Sequence, residues 1–193
     1  MGQVYSVTTA PASEPITTAE AKTHMRITSS ADDTYIATLI TAARQWCEWY
    51  QGRSYIEQII TMYQDTFTSV IYLPQPPAIS VTSLKYYDTA GTQTTLTATT
   101  HYVSDVISQP GRIYEAYDYS WPATRDMRKA VEVVYKAGYG SAGSNVPAPM
   151  KHAIKIMVSN WYENRDPVTD LKFMRVPFSV EALLDPDSLT NVQ

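Results

Sequence analysis

Apolar residues recur at spacings of three and four along one stretch of this chain. Ile36, Leu39, Ile40, Ala43, Trp46, Cys47 and Tyr50 fall on one stripe, which predicts a long amphipathic helix packed along that face. Asp32 and Asp33 stand at its start, where the positive end of the helix dipole favours carboxylates, and Gly52 follows as a natural stop. A second stripe, Met150, Ala153, Ile154, Met157, Val158 and Trp161, follows Pro147 and Pro149, residues that suit a helix's first turn. That helix ends before Pro167, because the residue preceding a proline avoids helical geometry. A shorter helix opens at Thr17, where Thr17 and Glu20 have capping-box spacing, and ends near Arg26.

Between the helices the period changes. From Ser54 to Tyr139, Thr, Val, Ile and Tyr dominate, and turn residues interrupt them every eight to twelve positions, as in short antiparallel strands. Strands are predicted at 56–67, 70–73, 80–87, 92–96, 102–106, 112–115 and 131–136. Asp88 to Gly91 suits a hairpin loop, and Pro74 to Pro77 breaks the sheet because proline cannot donate to a ladder. Residues 171–193 begin extended, form one short helix over 179–184, and stop at Pro186. The expected fold is α+β: a small helical bundle from the two ends of the chain with an inserted antiparallel β-rich region. The expected organisation is an N-terminal arm (1–16), a helical core (17–53 and 145–170), a β-rich insertion (54–144) and a C-terminal tail (171–193), together one structural domain.

Composition narrows the function. A chain of 193 residues with 18% charged residues is globular, and it can bury roughly 70% of its unfolded surface. A net charge of −4 with interspersed signs argues against a protein that grips DNA through its phosphates, although it permits one that lets DNA pass. Cys47 is the only cysteine, so no internal disulfide forms, and it reads as a buried, inert thiol. No apolar run approaches the ~20 residues of a membrane span. The N-terminus lacks signal-peptide features, and its Met1-Gly2 start with Ser6 matches a myristoylation pattern only weakly, so the reading is a cytoplasmic product.

Candidate chemistry is sparse. His24, His101 and His152 fall in different elements with no ligand-spaced neighbours, whereas a metal site needs three or four converging ligands. The loop Gly138-Tyr-Gly-Ser-Ala-Gly143 is glycine-rich but lacks the P-loop Lys and Ser/Thr pattern, so it reads as a strand-to-helix turn. No catalytic residue, cofactor site or metal ligand is assigned. Tyr86, Tyr87, Tyr114, Tyr117, Tyr119 and Trp121 belong either to a β-sheet core or to interfaces, where such side chains are enriched. Arg125, Arg128 and Lys129 form the densest basic cluster, either meeting an acidic partner or forming a solvated loop.

The chain resembles the head–tail connector (adaptor, or head completion) proteins of tailed bacteriophages, prophages and gene transfer agents. The resemblance lies in T-x-x-E-A-K-x-H-x-R-I at Thr17–Ile27, the acidic Asp32-Asp33, and L-I-x-A-A-R-x-x-x-E-x-x-x-G-R-like residues across Leu39–Arg53. It continues in A-G-Y-G at 137–140, V-P-x-x-x-K-x-A-I at 146–154, Y-E-N-R at 162–165 and P-x-x-V-E-A-L-L at 177–184. The resemblance implies a dodecameric ring in the virion neck that docks beneath the portal, extends the DNA channel and carries the next neck or tail protein. Genomic DNA would pass through without sequence-specific binding, and no membrane is involved. By the same analogy the tail reaches the portal, with Leu171, Phe173, Pro177, Phe178, Val180, Leu183 and Leu184 as docking residues, and its removal should leave the monomer folded but unable to attach.

Three other readings differ in class. A stopper or tail terminator would share the ring, but such proteins are mainly β. A helix-turn-helix would use the first two helices with the break at 28–31 as its turn, and only Arg44 and Arg53 on the second helix could meet phosphate. An enzyme would need a convergent polar set that the sequence does not offer.

Overall fold

The computed structural model describes residues 3–165 and 178–189. Its eight strands are β1 (Val4–Thr9), β2 (Gln58–Gln64), β3 (Ile71–Leu73), β4 (Ala78–Tyr87), β5 (Gln93–Leu96), β6 (Tyr102–Asp105), β7 (Gly111–Glu115) and β8 (Val131–Ala137). Its helices are α1 (Thr18–Met25), α2 (Asp33–Gln51), α3 (Ala148–Glu163) and α4 (Phe178–Leu184). The fold is α+β, and the chain divides into two compact units, Met1–Ala12 with Glu57–Tyr139 and Ser13–Ile56 with Gly140–Gln193.

The first unit is all β. A five-stranded antiparallel sheet has the order β1-β2-β8-β4-β5, and a three-stranded sheet has the order β3-β7-β6. In β8, Val131, Val133, Tyr135 and Ala137 are buried while Glu132, Val134 and Lys136 are not, the period-two pattern of a strand with one face on the core. Ile60 and Met62 of β2, Ile71 and Leu73 of β3, Leu84 of β4 and Ile113 of β7 complete that core. The Tyr135 hydroxyl, carried inside by its ring, donates to the carbonyl of Pro74, and burial pushes its pKa up. Seven of the strands fall where the period-two signal places them. The eighth, β1, lies in the polar N-terminal stretch read as an arm: VYSVTT has a strand's composition but no buried residue, so no hydrophobic face marked it.

The second unit is helical. Thr17 and Glu20 make both halves of the capping box, and α1 closes on Arg26 in the left-handed region. Gly52, at φ 67°, terminates α2 in that same conformation. The core of this unit joins Ile16, Ala21, Ile36, Ile40, Ala43 and Cys47 to Met150, Ala153, Ile154, Met157 and Val158. Asp32 makes no capping bond to α2. Its carboxylate instead accepts the Tyr162 hydroxyl at 2.5 Å and the Arg165 guanidinium at 3.1 Å, which hold its pKa below the ordinary carboxylate value and tie the end of α3 to the start of α2.

Candidate assembly surfaces and the networks that hold them

The stripe on α2 is rotated from its sequence position. Ile36, Ile40 and Ala43 are buried as expected, but Leu39, Trp46 and Tyr50, and Trp161 on α3, are only half-buried. Arg44, Glu48 and Gln51 take the inward positions instead. They can do so because each polar group is met. Arg44 Nη1 donates to Glu48 Oε2 at 2.6 Å, its Nε donates to Glu14 Oε2 at 2.7 Å, and Glu48 Oε1 accepts the Tyr55 amide at 2.8 Å. The Tyr55 hydroxyl completes the cluster by donating to Gln51 Oε1 at 2.5 Å. Burial pushes the Glu48 carboxyl above its ordinary value, and the Arg44 charge and the Tyr55 amide oppose that shift. The four-residue spacing of Arg44 and Glu48 is the signal that could have revealed the pair.

This network also removes the basis of the DNA-reading alternative. Arg44 is committed to two carboxylates, and Arg53 donates through Nε to the carbonyl of Asp187 at 2.5 Å. Neither guanidinium is presented for phosphate.

The residues assigned to portal docking divide into two sets. Leu171, Phe173 and Pro177 lie outside the described residues. Of α4, Val180 and Leu184 are fully buried in the helical unit, and Leu183 is half-buried. Polar bonds fix the end of α4: Gln51 Nε2 donates to the Leu184 carbonyl at 2.7 Å, and the Leu189 amide donates to the Gln51 carbonyl at 3.0 Å. The Tyr50 hydroxyl donates to Asp185 at 2.6 Å, and that carboxylate pushes the phenol up to about 12. Val180 and Leu184 therefore serve internal packing in this subunit.

The glycine loop has a structural purpose. A Cβ at Gly143 would lie 2.5 Å from the Pro15 carbonyl oxygen and 2.8 Å from that of Glu14, both backbone atoms that cannot swing aside. The Ser13 hydroxyl donates to the Ser141 carbonyl at 2.8 Å, so this loop receives the segment leading into α1. Gly143→Val is expected to destabilise the helical unit by about 1–3 kcal/mol, the cost typical of forced overpacking. Urea denaturation followed by circular dichroism would measure it, and an unchanged midpoint would contradict this close approach.

Cys47 is fully buried beside Met157 Sδ, at 3.6 Å, and burial pushes its thiol up to about 12. It is expected to ignore a thiol reagent in the native protein and to react fully in denaturant. Rapid native labelling would show that α2 and α3 separate readily.

His24 and His152 do meet, edge to face with ring centroids 5.8 Å apart, although they lie far apart in sequence. Among the described residues, no group of three or more His, Cys, Asp or Glu could hold a metal ion, and no helix is long and apolar enough to cross a membrane. In the β unit, Phe67 stacks on Trp121 at 4.6 Å and leans on Tyr86, so these two candidate interface aromatics are engaged internally. Tyr119 meets His101 at 4.8 Å. Tyr117 and Ile107 differ: at 95% and 91% exposed, they project into solvent from the loops around β7. In the basic cluster, the Lys129 amide donates to Asp65 at 2.9 Å and its ammonium lies 5.2 Å from the centre of the Tyr63 ring.

Residues 14–170 match the family model for head completion proteins. The chain belongs to the head completion protein family. The match spans α1 to α3 and β2 to β8, and agrees with the resemblance carried by the motifs at 17–53 and 131–166.

Solved structures give the same fold. A chain of the native gene transfer agent virion superposes with a TM-score of 0.77 at 23% identity, covering 96% of this chain and 95% of that one. A chain in the neck of an empty gene transfer agent particle, computed with C6 symmetry, gives 0.77 at 24% identity over 96% and 95%. A chain in the neck of the native particle, computed with C12 symmetry, gives 0.71 at 24% identity over 96% and 94%. Among curated protein sequences, none is significantly similar to this head completion family member.

Proposed function

We propose that this chain is a structural, non-enzymatic component of a phage-type neck: a ring adaptor that docks under the portal, extends the DNA channel and joins the capsid to the tail. The observation that carries this reading is membership in the head completion family, together with a full-length fold likeness to chains in necks computed with C6 and C12 symmetry. A ring of twelve copies fits the likeness to a chain in a neck computed with C12 symmetry. The net charge of −4 suits a channel through which DNA slides without being held.

For the portal contact, the proposal rests on Leu171, Phe173, Pro177, Phe178 and Leu183. Val180 and Leu184 are not among them, because their side chains are buried within the chain itself. Ile107 and Tyr117, bare on the β unit, are offered to neighbouring subunits or to the downstream neck protein. A genetic test follows. A stop codon early in this reading frame, in the genome that encodes it, should yield DNA-packaging heads and complete tails that fail to join. Normal joined particles from that mutant would overturn the proposal.

A further inference from the structure

The edge of the five-stranded sheet is unfinished. Among the described residues, β1 is its terminal strand and pairs only with β2, and β5 is the opposite terminal strand and pairs only with β4. Registers across the sheet show which side chains share a face. Tyr5 lies opposite Met62, Met62 opposite Val133, Val133 opposite Leu84, and Leu84 opposite Leu96. The last four are buried. Tyr5 therefore stands on the core face, as does Val7, two residues along; yet they are 43% and 48% exposed. Among the described residues, the hydrophobic layer runs to the end of the sheet and is only partly covered there, Gln75 Nε2 donating to the Tyr5 hydroxyl at 3.0 Å while about half of each side chain stays open.

Natural edge strands are guarded by lysines, prolines and inward charges, and also by bulges that twist the edge away. β1, VYSVTT, has none of these residues, and its one irregularity is a bulge at Thr8 near the far end. β5, QTTL, is equally uncharged. A ring joins unlike patches of identical subunits, and the two ends of one sheet are unlike patches that both carry unpaired ladder groups. Every neighbouring pair in this sheet is antiparallel, so the first and fifth strands run in the same direction. A many-fold rotation turns each subunit only slightly, so a junction between those two ends is a parallel pair. Parallel pairing is slightly weaker per residue than antiparallel pairing, which suits subunits that join only when a template gathers them.

We propose that the β1 edge of one copy pairs with the β5 edge of the next, continuing the sheet between subunits and covering Tyr5 and Val7. This inference rests on the ring-adaptor reading above. The partner is a second copy of this chain, recognised through backbone ladder bonds and an uncharged, half-apolar edge.

Cysteine pairing across the junction tests it. Ser6 shares a face with Val4, and Val4 lies in register, through Tyr63, Glu132 and Lys85, with Thr95, so Ser6 and Thr95 occupy the same outer face of the sheet. Both are exposed, and buried Cys47 does not compete for oxidation. The full-length Ser6→Cys/Thr95→Cys chain, assembled on its portal ring and mildly oxidised, should give a ladder of covalent multimers up to the closed ring. Each single variant should give none. Val7→Lys should keep the monomer's circular dichroism spectrum and lose the ring, because it places a charge on the edge.

A ring that forms without crosslinks overturns this inference alone. Dimers from Ser6→Cys by itself overturn it in favour of a two-fold β1 pairing. A Val7→Lys ring of normal yield argues against it, as would a β1 edge protected by the downstream neck protein instead of a second copy. If no ring forms on the portal, the adaptor reading fails and this inference fails with it.

Discussion

Arg44→Ala is expected to destabilise the helical unit by about 3–5 kcal/mol, the cost of stranding a buried charge by removing its partner. Two carboxylates lose their cation at once: Glu48 Oε2, 2.6 Å from Arg44 Nη1, and Glu14 Oε2, 2.7 Å from its Nε. Glu48 suffers most, because its side chain is nearly as buried as that of Arg44 and it cannot recover water. Three elements depend on the cluster. Glu14 leads into α1, Arg44 and Glu48 belong to α2, and the Tyr55 amide fixes the turn that leaves the unit. Denaturant unfolding of Arg44→Ala against the wild type measures the loss. Arg44→Met with Glu48→Gln should recover part of it, since the more buried carboxylate is then neutral and only Glu14, which still reaches water, is left without its cation. A single variant as stable as the wild type would contradict the role given to this network.

Ending the chain before Phe178 is expected to cost about 3–6 kcal/mol, from two aliphatic side chains at about 1.5–3 kcal/mol each when fully buried. Val180 and Leu184 are those side chains, and both are 0% exposed. The same truncation leaves Gln51 Nε2 and the Arg53 guanidinium without the Leu184 and Asp187 carbonyls they now meet. The sequence-based expectation that the tail can be removed from a folded monomer therefore changes. A truncated chain that fails to attach to the portal will also be a destabilised chain. Leu184→Ala alone should lose about 2–5 kcal/mol. A truncated chain that melts with the full-length protein would show that α4 contributes no packing energy. Portal attachment is better tested at Leu171 and Phe173, away from the buried positions of α4.

The legibility of this chain follows the physics of each signal. Capping boxes, helix-stopping glycines and prolines act locally, so Thr17–Glu20, Gly52 and Pro147 marked their helices correctly from sequence. β8, alternating buried and half-buried residues, was equally plain. The stripe on α2 is harder to read, because apolarity is an imperfect proxy for burial. Leu39, Trp46 and Tyr50 are apolar and half-exposed, while Arg44, Glu48 and Gln51 are polar and buried through mutual hydrogen bonds. Part of that satisfaction is local, in the Arg44–Glu48 and Gln51–Tyr55 pairs, but Glu14 and Leu184 lie 30 and 133 positions from their partners, so no local window contains all of it. β1 escaped for the opposite reason: an edge strand with no buried residue has no core-facing alternation to detect. Gly143 reads as a turn residue, but the reason glycine fits there, the carbonyl of Pro15, is a contact across more than 120 positions.

Reconstitution with the portal tests the central claim most directly. The purified full-length chain, mixed with the portal ring encoded by the same genome and imaged by electron microscopy, should add a second ring, coaxial with the portal and seated on its narrow end. Its subunit number is then counted from the images, with twelve expected. A portal ring left unaltered, with this chain free in solution, would contradict the adaptor role and place the protein lower in the neck.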